Sequence, residues 1–313
     1  MLTGARGFLG HALTDVFCRI PGCRVFAVDR YALAESMGAA PARPDPQIEH
    51  VDQDVTKPLG IIPGPIDYIL SLAGIASPAH YKKRPLETLD VGILGLRNML
   101  DLARERKARI LFSSSSELVG DPAIVPTPET CVGAIQPMRP RSAYDLTKLL
   151  GENLCWVYST YFGVKATVVR LFNSYGPPMG PSDFRVMSRF AYNIVHGKPT
   201  TVFGDGDQTR TFCYVTDTLF GILLALLDGE LGPYNVGAEV PEISMTRLAE
   251  LFERVSGRAW TIEHVSPPSE YLAEPRRRCP DLSKIKMELG YVPEVSLEEG
   301  VHRFLAWTAK AYR

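Results

Sequence analysis

Short apolar runs alternate with longer amphipathic segments through the first half of the chain. Four apolar runs have the length of a strand, at residues 24–29, 66–72, 108–114 and 164–172. Residues 85–106 instead carry apolar side chains at helical spacing, and Pro85 suits a first helical turn. Strands that alternate with helices predict an α/β fold built on a doubly wound parallel sheet.

The pattern changes at about Asn173, where proline, arginine and irregular segments become more frequent. Helices are predicted over residues 219–227 and 245–256, with a further helix that ends at Leu289. Residues 234–236 read as one returning strand. The chain is therefore predicted to carry a second, smaller part that faces the ligand.

A glycine-rich loop lies near the start of the chain. Gly4, Gly7 and Gly10 form a Gly-x-x-Gly-x-x-Gly pattern that includes Phe8 and Leu9 and leads into a helix. Such glycines let the backbone approach a pyrophosphate, and the helix start supplies N–H groups to it. Only Met1 and Leu2 precede Thr3, so the first strand is either very short or the start of the chain has been trimmed.

Asp29 ends the next predicted strand, 19 residues after Gly10. This is the spacing expected for a carboxylate that binds the ribose hydroxyls of adenosine. The negative charge repels a 2′-phosphate, which favours NAD over NADP, although Arg30 weakens that preference. Asp54 and Val55 fit an adenine contact or a plain surface turn. The small residues after the fourth strand, in the segment Leu72, Ala73 and Gly74, let the backbone lie against the cofactor.

The stretch from Ser113 to Lys148 holds the candidate reactive groups. Tyr144 and Lys148 are four residues apart, so they share one face of a helix, and Ser142 with Asp145 marks the start of that helix. A nearby ammonium and a cationic ring favour the phenolate and would make Tyr144 a base near neutral pH. Ser115 can bind the same substrate hydroxyl. Taken alone, Tyr-x-x-x-Lys also fits an ordinary amphipathic helix.

Charge and composition narrow the classes of partner. The 313 residues carry a formal net charge of −1, so no global field attracts nucleic acid or a membrane, and an anionic ligand needs local basic residues. The six cysteines are scattered without a C-x-x-C motif, which predicts free thiols in a cytoplasmic protein. We find no apolar signal core, and the longest apolar run, residues 219–227, is too short to span a bilayer.

These motifs occur in one order and spacing, and together they resemble the extended short-chain dehydrogenase/reductase family of nucleotide-sugar epimerases and dehydratases. Within it the chain is most similar to the branch that decarboxylates nucleotide-linked uronic acids. The segments that carry this resemblance are residues 76–81, 115–117, 141–144, 204–210 and 278–281. The resemblance implies a Rossmann-type NAD-binding domain over residues 1–172, with a returning segment at about 208–238. It implies a mixed α/β nucleotide-sugar-binding part over residues 173–207 and 239–313.

The family also implies roles for individual residues. The sugar is oxidised at C4 by NAD, loses CO2 as a β-keto acid, and takes the hydride back. The implied catalytic residues are Ser115, Ser116, Glu117, Tyr144, Lys148 and Arg278. The implied contacts to a nucleotide sugar, with UDP as the expected nucleotide, come from Pro78, Tyr81, Glu117, Arg141, Asn173, Arg185, Val186, Phe203, Arg210 and Arg278. A homodimer paired through the two long helices is the arrangement usual in the family, and no metal is expected.

Several positions depart from the family pattern. Val119 replaces a tyrosine, Gly92 replaces an asparagine, Ala238 replaces an asparagine, and Leu146 with Thr147 replaces Glu-Gly. The altered surroundings lead to the hypothesis that some 4-keto pentose escapes before the hydride returns. The alternative is that neighbouring side chains compensate and only the pentose appears. Two other functions stay open: a C4 epimerase or 4,6-dehydratase, and a regulatory protein that binds NAD. The pair Ser116 and Glu117, together with Arg278, favours the decarboxylase.

Overall fold

The computed structural model describes residues 1–36, 38–39, 41–42, 44–60, 62–131, 133, 135–139, 141–266 and 275–312. Its strands are β1 Leu2–Thr3, β2 Val25–Asp29, β3 Ile48–Asp52, β4 Tyr68–Ser71, β5 Arg109–Ser115, β6 Ala166–Leu171, β7 Ser174–Tyr175, β8 Thr200–Phe203, β9 Thr209–Arg210, β10 Cys213–Tyr214, β11 Tyr234–Val236, β12 Ile243–Ser244, β13 Ile262–Val265 and β14 Arg277–Arg278. Its helices are α1 Phe8–Phe17, α2 Tyr31–Ser36, α3 Pro78–Tyr81, α4 Pro85–Asp90, α5 Leu96–Arg106, α6 Ser142–Phe162, α7 Val186–Val195, α8 Val215–Asp228, α9 Met245–Ser256, α10 Ser283–Leu289 and α11 Leu297–Ala311.

Seven parallel strands form the main sheet, in the order β11-β6-β5-β4-β1-β2-β3. The order in which strands are added to the sheet reverses at β1, and helices flank the sheet. Both features confirm the predicted Rossmann-type, doubly wound α/β fold. The returning strand β11 pairs with β6, so this segment rejoins the sheet after the chain has left it. Three smaller sheets, β10-β7, β12-β9-β14 and β13-β8, lie outside the main sheet.

One apolar core runs from the sheet into the C-terminal part. It joins Leu111 and Val169 in the sheet to Phe190, Phe252 and Phe304 in helices α7, α9 and α11, and all five are fully buried. Burying one such side chain contributes about 1.5–3 kcal/mol relative to leaving it in water. The two parts are therefore held together by shared packing, which fixes the cleft between them.

The long helix predicted over residues 85–106 is present but interrupted. A π turn at Val91–Gly95 separates α4 from α5. Helix α6 begins at Ser142 as predicted, but Ser142 does not cap it. The N-cap is Arg141, which makes no side-chain capping bond, and the Ser142 hydroxyl donates to the carbonyl of Gln136 at 2.5 Å. Strand β1 has two residues, so its pairing to β2 and β4 is short.

All six cysteines are free thiols, as the sequence predicted. Within the described ranges, no helix is long and apolar enough to cross a membrane. The same part of the chain has no group of three or more His, Cys, Asp or Glu side chains that could hold a metal ion.

Candidate active site

A cleft of about 580 Å³ runs along the carboxyl ends of β1, β2, β4, β5 and β6. This edge is where an open parallel sheet binds ligands. Every residue that the sequence suggested as catalytic, cofactor-binding or substrate-binding lines this one cleft. The fold therefore brings together positions from Gly4 to Arg278.

The glycine-rich loop forms a cradle in which Gly4 and Gly10 have no room for a Cβ. Gly4 has a φ of +70°, and a Cβ there would lie 2.8 Å from the backbone nitrogen of Ala73. A Cβ on Gly10 would lie 2.0 Å from the carbonyl oxygen of Gly4. Helix α1 starts after Gly7 without a side-chain cap, and the first N–H groups of a helix have no intrahelical partner. This loop therefore fits the pyrophosphate of a dinucleotide.

Asp29 lies at the end of β2, where it accepts two backbone hydrogen bonds. The N–H of Arg6 donates to Oδ2 and the N–H of Arg30 donates to Oδ1, both at 2.8 Å. Burial raises the pKa of Asp29, and these two N–H groups partly oppose that rise. Arg30 also lies 3.7 Å from Asp54 at the adenosine end of the cleft. The carboxylate is thus fixed in the position expected for a ribose contact.

Arg6 is a residue that the sequence analysis did not select. Its side chain is buried within the glycine loop, with the guanidinium 5.0 Å from the ring of Tyr31 and 3.4 Å from Glu35. The sequence contained no sign of this placement except the position of Arg6 between two glycines. Arg6 adds a positive charge beside Asp29 at the adenosine end.

Three consecutive serines at the end of β5 each hold a different part of the site. The carbonyl of Ser113 accepts a hydrogen bond from Lys148 Nζ at 2.6 Å. The hydroxyl of Ser114 donates to Glu152 at 2.6 Å. The hydroxyl of Ser115 accepts from the N–H of Glu117 at 3.2 Å. Since β5 is a buried central strand, this run gives helix α6 and the Glu117 turn a rigid support.

Tyr144 lies in the cleft, on the same face of α6 as Lys148. Lys148 Nζ is 5.5 Å from the Tyr144 ring and 5.0 Å from the ring of Phe112. Burial raises the pKa of Tyr144, which the Ser115 hydroxyl and the Arg185 guanidinium partly oppose. Burial lowers the pKa of Lys148 to about 8, against the negative charge of Glu152.

The protein's own groups therefore do not produce the lowered tyrosine pKa that was expected from the sequence. Burial is the larger effect, and the Lys148 ammonium is directed to the carbonyl of Ser113. The expected lowering of the Tyr144 pKa also required a cationic ring close to the hydroxyl, and these side chains do not supply one.

Glu117 is clamped between two arginines. Arg278 donates to both carboxylate oxygens, with Nη2 to Oε2 at 2.8 Å, and Arg141 donates to Oε2 as well. Arg141 also contacts Asp145 through Nε at 3.1 Å. Charge-assisted, bidentate pairs of this kind are the strongest hydrogen bonds that side chains make. Two guanidinium groups and a carboxylate are thus held together beside Ser115 and Ser116.

The remaining basic side chains lie toward the C-terminal part of the cleft. Arg185 pairs with Asp183 at 2.5 Å and 2.6 Å. Arg210 donates to the carbonyls of Thr209 and Arg276 at 2.8 Å and 3.3 Å. Asn173, whose φ is +34°, donates to the carbonyl of Thr211 at 2.9 Å. These bonds orient polar groups along the cleft, and the Arg185 guanidinium lies 5.9 Å from the ring of Phe8.

The three consecutive arginines near the C-terminus have different surroundings. Arg278 is buried and lines the cleft. Arg276 pairs with Asp205 at 3.1 Å and Arg277 with Glu242 at 2.6 Å, both on the surface. The pairing of β14 with β9 turns Arg278 inward beside Arg210.

A buried ion pair behind Lys148 was also missed. Arg170 on β6 donates to both oxygens of Glu152, at 2.9 Å and 2.8 Å. Glu152 lies four residues after Lys148 on α6, so the two side chains share a helix face. The spacing of Lys148 and Glu152 could have indicated from the sequence that the two side chains are neighbours. The pairing of Glu152 with Arg170 on β6 is visible only in the fold.

Comparison with known proteins agrees with this geometry. UDP-glucuronic acid decarboxylase 1 of Arabidopsis thaliana is 36% identical over 306 residues, which cover 98% of this chain and 68% of the plant protein. The protein of the same name from Xenopus tropicalis is 35% identical over 310 residues, covering 99% of this chain and 72% of its own. The crystal structure of UDP-glucuronic acid 4-epimerase from Bacillus cereus, in complex with UDP-glucuronic acid and NAD, matches with a TM-score of 0.83 at 25% identity and covers 99% of each chain.

A family profile matches the chain over the segment that holds the glycine loop, the serine run, Tyr144 and Lys148. The match spans residues 1–237, which is most of the chain and reaches the end of the seven-stranded sheet. The matched segment therefore contains the glycine loop, Asp29, Tyr144 and Lys148. The chain belongs to the NAD dependent epimerase/dehydratase family.

Proposed function

We propose that this protein is an NAD-dependent UDP-glucuronate decarboxylase, a carboxy-lyase that converts UDP-glucuronate to UDP-xylose. The observation that carries the proposal is the Glu117 carboxylate held between Arg141 and Arg278 in the cleft of Tyr144. A uronate substrate carries a carboxylate of its own into the part of the cleft beside Glu117, where the guanidinium groups of Arg141 and Arg278 converge. The full-length similarity to proteins named UDP-glucuronic acid decarboxylase supports the same substrate.

The reaction begins with loss of the proton on the C4 hydroxyl of the sugar. Tyr144 accepts that proton, and Ser115 holds the oxygen in line, since both side chains line the same wall. NAD, when bound, would supply the acceptor for the C4 hydride and the source of its return. With a ketone at C4 the uronate is a β-keto acid, so the electron pair left by CO2 moves onto the C4 oxygen. Ser115 stabilises that oxygen as it becomes negative.

The cofactor would be held by the glycine cradle, Asp29 and Lys148. Gly4 and Gly10 have no room for a Cβ, and Asp29 is fixed by two backbone N–H groups. Lys148 lies near enough to Tyr144 to contact a nicotinamide ribose on the same side. We assign Arg185 and Arg210 to the diphosphate, because three substrate charges on a protein of net charge −1 need local cations.

Glu117 and Arg278 belong to the decarboxylation half of the cycle. The buried guanidinium of Arg278 can exchange its partner from Glu117 to the substrate carboxylate. The released Glu117 can then take a proton from solvent and pass it to C5. Ser116 stands where an acid would be needed to expel a C6 hydroxyl. A serine hydroxyl is a poor general acid, which argues against a 4,6-dehydratase.

The main competing function is epimerisation at C4. It has a specific basis, because a solved structure with the same fold is a UDP-glucuronic acid 4-epimerase. An epimerase must keep the carboxylate and rotate the 4-keto sugar, whereas a decarboxylase must release CO2. The lower identity to that enzyme, 25% against 36% for the plant decarboxylase, places this second candidate behind the first.

The decisive experiment is incubation of the purified protein with a panel of nucleotide sugars that do or do not carry a carboxylate. We expect CO2 and a nucleotide pentose from UDP-glucuronate, and no reaction with UDP-glucose. Release of UDP-galacturonate without CO2 would replace the proposal with the epimerase. Absence of any reaction in the whole panel, with NAD bound, would favour a regulatory protein.

The exposed face of the long helices supports a homodimer. Leu149, Leu150, Trp156 and Tyr161 on α6 are 40–68% exposed, and Leu94 in the neighbouring π turn is 45% exposed. A contiguous apolar face of this kind marks an interaction site, and we assign it to a second copy of the chain. Sedimentation should give twice the chain mass, and Trp156→Glu should reduce it to the monomer mass. An unchanged dimer in that variant would move the interface elsewhere.

Two further assignments are part of the proposal. The six free thiols suit a reducing compartment, so we place the protein in the cytoplasm. The division into an NAD-binding part, residues 1–172 with 208–238, and a nucleotide-sugar-binding part is supported by the return of β11 to the main sheet.

A further inference from the structure

The π turn at Val91–Gly95 contains two glycines that the proposed reaction does not use. Glycine in a helix interior is less favourable than alanine by about 0.8–1 kcal/mol. Neither Gly92 nor Gly95 has a positive φ, so alanine could adopt both backbone conformations. The reason for glycine must therefore be the neighbours. Isolated π turns inside helices occur frequently at functional sites.

Gly92 faces the catalytic turn of α6. A Cβ on Gly92 would lie 2.5 Å from Thr147 Cβ and 2.7 Å from its methyl group. Thr147 is buried and lies directly before Lys148, and its hydroxyl donates to the carbonyl of Tyr144 at 2.7 Å. The Thr147 side chain therefore fits a notch that exists only because residue 92 has no side chain. Any Cβ at residue 92 would push the turn that carries Tyr144 and Lys148.

Gly95 faces the other end of the cleft. A Cβ on Gly95 would lie 2.9 Å from a methyl group of Val55, which is buried and lines the cleft beside Asp54. One turn later, Asn98 on α5 donates to the carbonyl of Val55 at 2.8 Å. The same stretch of helix thus holds the adenosine side of the site by a close contact and a hydrogen bond.

We propose that this π turn is a positioning element that sets the two ends of the dinucleotide site separately. Gly92 positions the catalytic turn through Thr147, and Gly95 positions the adenosine-side loop through Val55. Thr147 is a positioning residue in this scheme, since it acts through Tyr144 and Lys148, whereas Val55 lines the cleft itself. The inference rests on the proposed function, because it takes the cleft to be the site of NAD and of the reacting sugar.

The contact of Gly92 with Thr147 and the contact of Gly95 with Val55 are expected to affect different measured quantities. Gly92→Ala should lower kcat about tenfold or more while the Kd for NAD stays within about twofold, because a shift of ~1.4 kcal/mol in the barrier is tenfold in rate. Gly95→Ala should raise the Kd for NAD about three- to tenfold, with kcat at saturating NAD close to the unmodified protein, since ~1.4 kcal/mol is also tenfold in affinity. Asp90→Ala, at an exposed position directly before the turn, is the control and should change neither quantity.

Complementary variants test the contacts themselves. Thr147→Gly alone should lower kcat without altering the Kd for NAD, and Thr147→Ser, which keeps Cβ and the hydroxyl, should retain most of the rate. The double variant Gly92→Ala with Thr147→Gly should turn over faster than Gly92→Ala. The double variant Gly95→Ala with Val55→Ala should bind NAD more tightly than Gly95→Ala alone.

Direct titration with NAD and single-turnover reduction of bound NAD by a nucleotide sugar give the two readouts. If Gly92→Ala and Gly95→Ala alter the same quantity equally, or if neither double variant recovers, the π turn is ordinary packing. If Gly92→Ala fails to fold, Thr147→Gly and Thr147→Ser decide alone, and an unchanged kcat in both overturns the proposal. Failure to release CO2 from UDP-glucuronate would reject the proposed function only, because NAD affinity and hydride transfer can be measured with any accepted sugar.

Discussion

The ring of Tyr81 lies parallel to the ring of Tyr144, with 5.2 Å between centroids and 9° between planes. Tyr81 comes from the short helix α3 and is buried, so it braces the face of the tyrosine on which the proposed reaction depends. Such an offset stack contributes about 0.5–1.5 kcal/mol beyond the buried area. Tyr81 was selected from the sequence as a substrate contact, and the fold gives it a second task as a support for Tyr144.

Tyr144→Phe tests the base. The ring and its stack with Tyr81 remain, and only the hydroxyl is lost. We expect nearly unchanged binding of the nucleotide sugar and a loss of activity of about 10²-fold or more, the scale of general base catalysis. Tyr158→Phe is a matched control on the same helix, because its hydroxyl donates to Asp101 away from the cleft. Turnover near that of the unmodified protein in Tyr144→Phe would remove Tyr144 from the mechanism.

The charge of Glu152 should determine the pH above which activity declines. Burial lowers the pKa of Lys148 to about 8, and Glu152 opposes that fall. The ammonium is lost as the pH rises through this pKa, so activity should decline above it. Glu152→Gln removes the opposing charge, lowers the pKa of Lys148 further, and should move the alkaline limb of the pH–rate profile to lower pH.

Arg170→Gln is the control for that shift. It breaks the same buried pair, which costs about 3–5 kcal/mol of stability, but leaves the negative charge of Glu152 in place. We therefore expect a lower Tm for both variants and a displaced alkaline limb for Glu152→Gln alone. Equal displacement in both variants would show that the limb reports a general loss of structure.

Glu117 and Arg278 should affect CO2 release far more than binding. Glu117→Gln weakens the clamp with little change of shape, and Arg278→Ala removes the buried cation. Each variant should bind the nucleotide sugar within a few-fold of the unmodified protein, and should release CO2 about 10²-fold more slowly, in the range of lost acid–base catalysis. Arg277→Ala, next in sequence but paired with Glu242 on the surface, should retain activity. If CO2 release is unchanged in Glu117→Gln and Arg278→Ala, their assignment to this half of the cycle is wrong.

Asp29 should determine the choice of dinucleotide. Protein denatured after purification should release NAD or NADH, and titration should show tighter binding of NAD than of NADP. Asp29→Asn removes the charge and should weaken NAD about tenfold, because a hydrogen bond to a charged group contributes about 1.5–3 kcal/mol. Asp52→Asn, at the end of the adjacent strand β3, is the control. Tighter binding of NADP by the unmodified protein would contradict the assignment.

The sequence predicted the local motifs well because each is short and contiguous. The glycine loop, the serine run, and Tyr144 with Lys148 each needed only the period of a strand or a helix. The clamp on Glu117 was not predictable, since Arg278 lies 161 residues away and is turned inward by the pairing of β14 with β9. The pair Glu152 and Arg170 was missed for the same reason.

The positions that depart from the family pattern show a second limit of sequence analysis, which considers each residue separately. Gly92 and Thr147 each depart from the family pattern. Taken alone, Gly92 looks like a lost side chain and Thr147 looks like an added one. In the fold, the space left by Gly92 is the space that Thr147 occupies. The burial of Tyr144, which raises its pKa, likewise depends on neighbours from several elements and could not be read from the spacing of Tyr144 and Lys148.

Some 4-keto pentose should escape before the hydride returns. Of the altered positions, Gly92 is compensated by Thr147, while Val119 and Ala238 are small buried residues where the family has larger polar ones. A ketone held by fewer contacts has more time to leave, and each ~1.4 kcal/mol of lost stabilisation shifts that competition about tenfold. Because Gly92 is compensated, we expect this product to be the minor one, with the pentose as the major product. Escape leaves NADH in the site, so turnover should slow and added NAD⁺ should restore it. Mass analysis under excess substrate should then show a species lighter than the pentose product by two hydrogens. A single pentose product, with a rate that does not depend on added NAD⁺, would contradict this prediction and would mean that the neighbouring side chains also compensate for Val119 and Ala238.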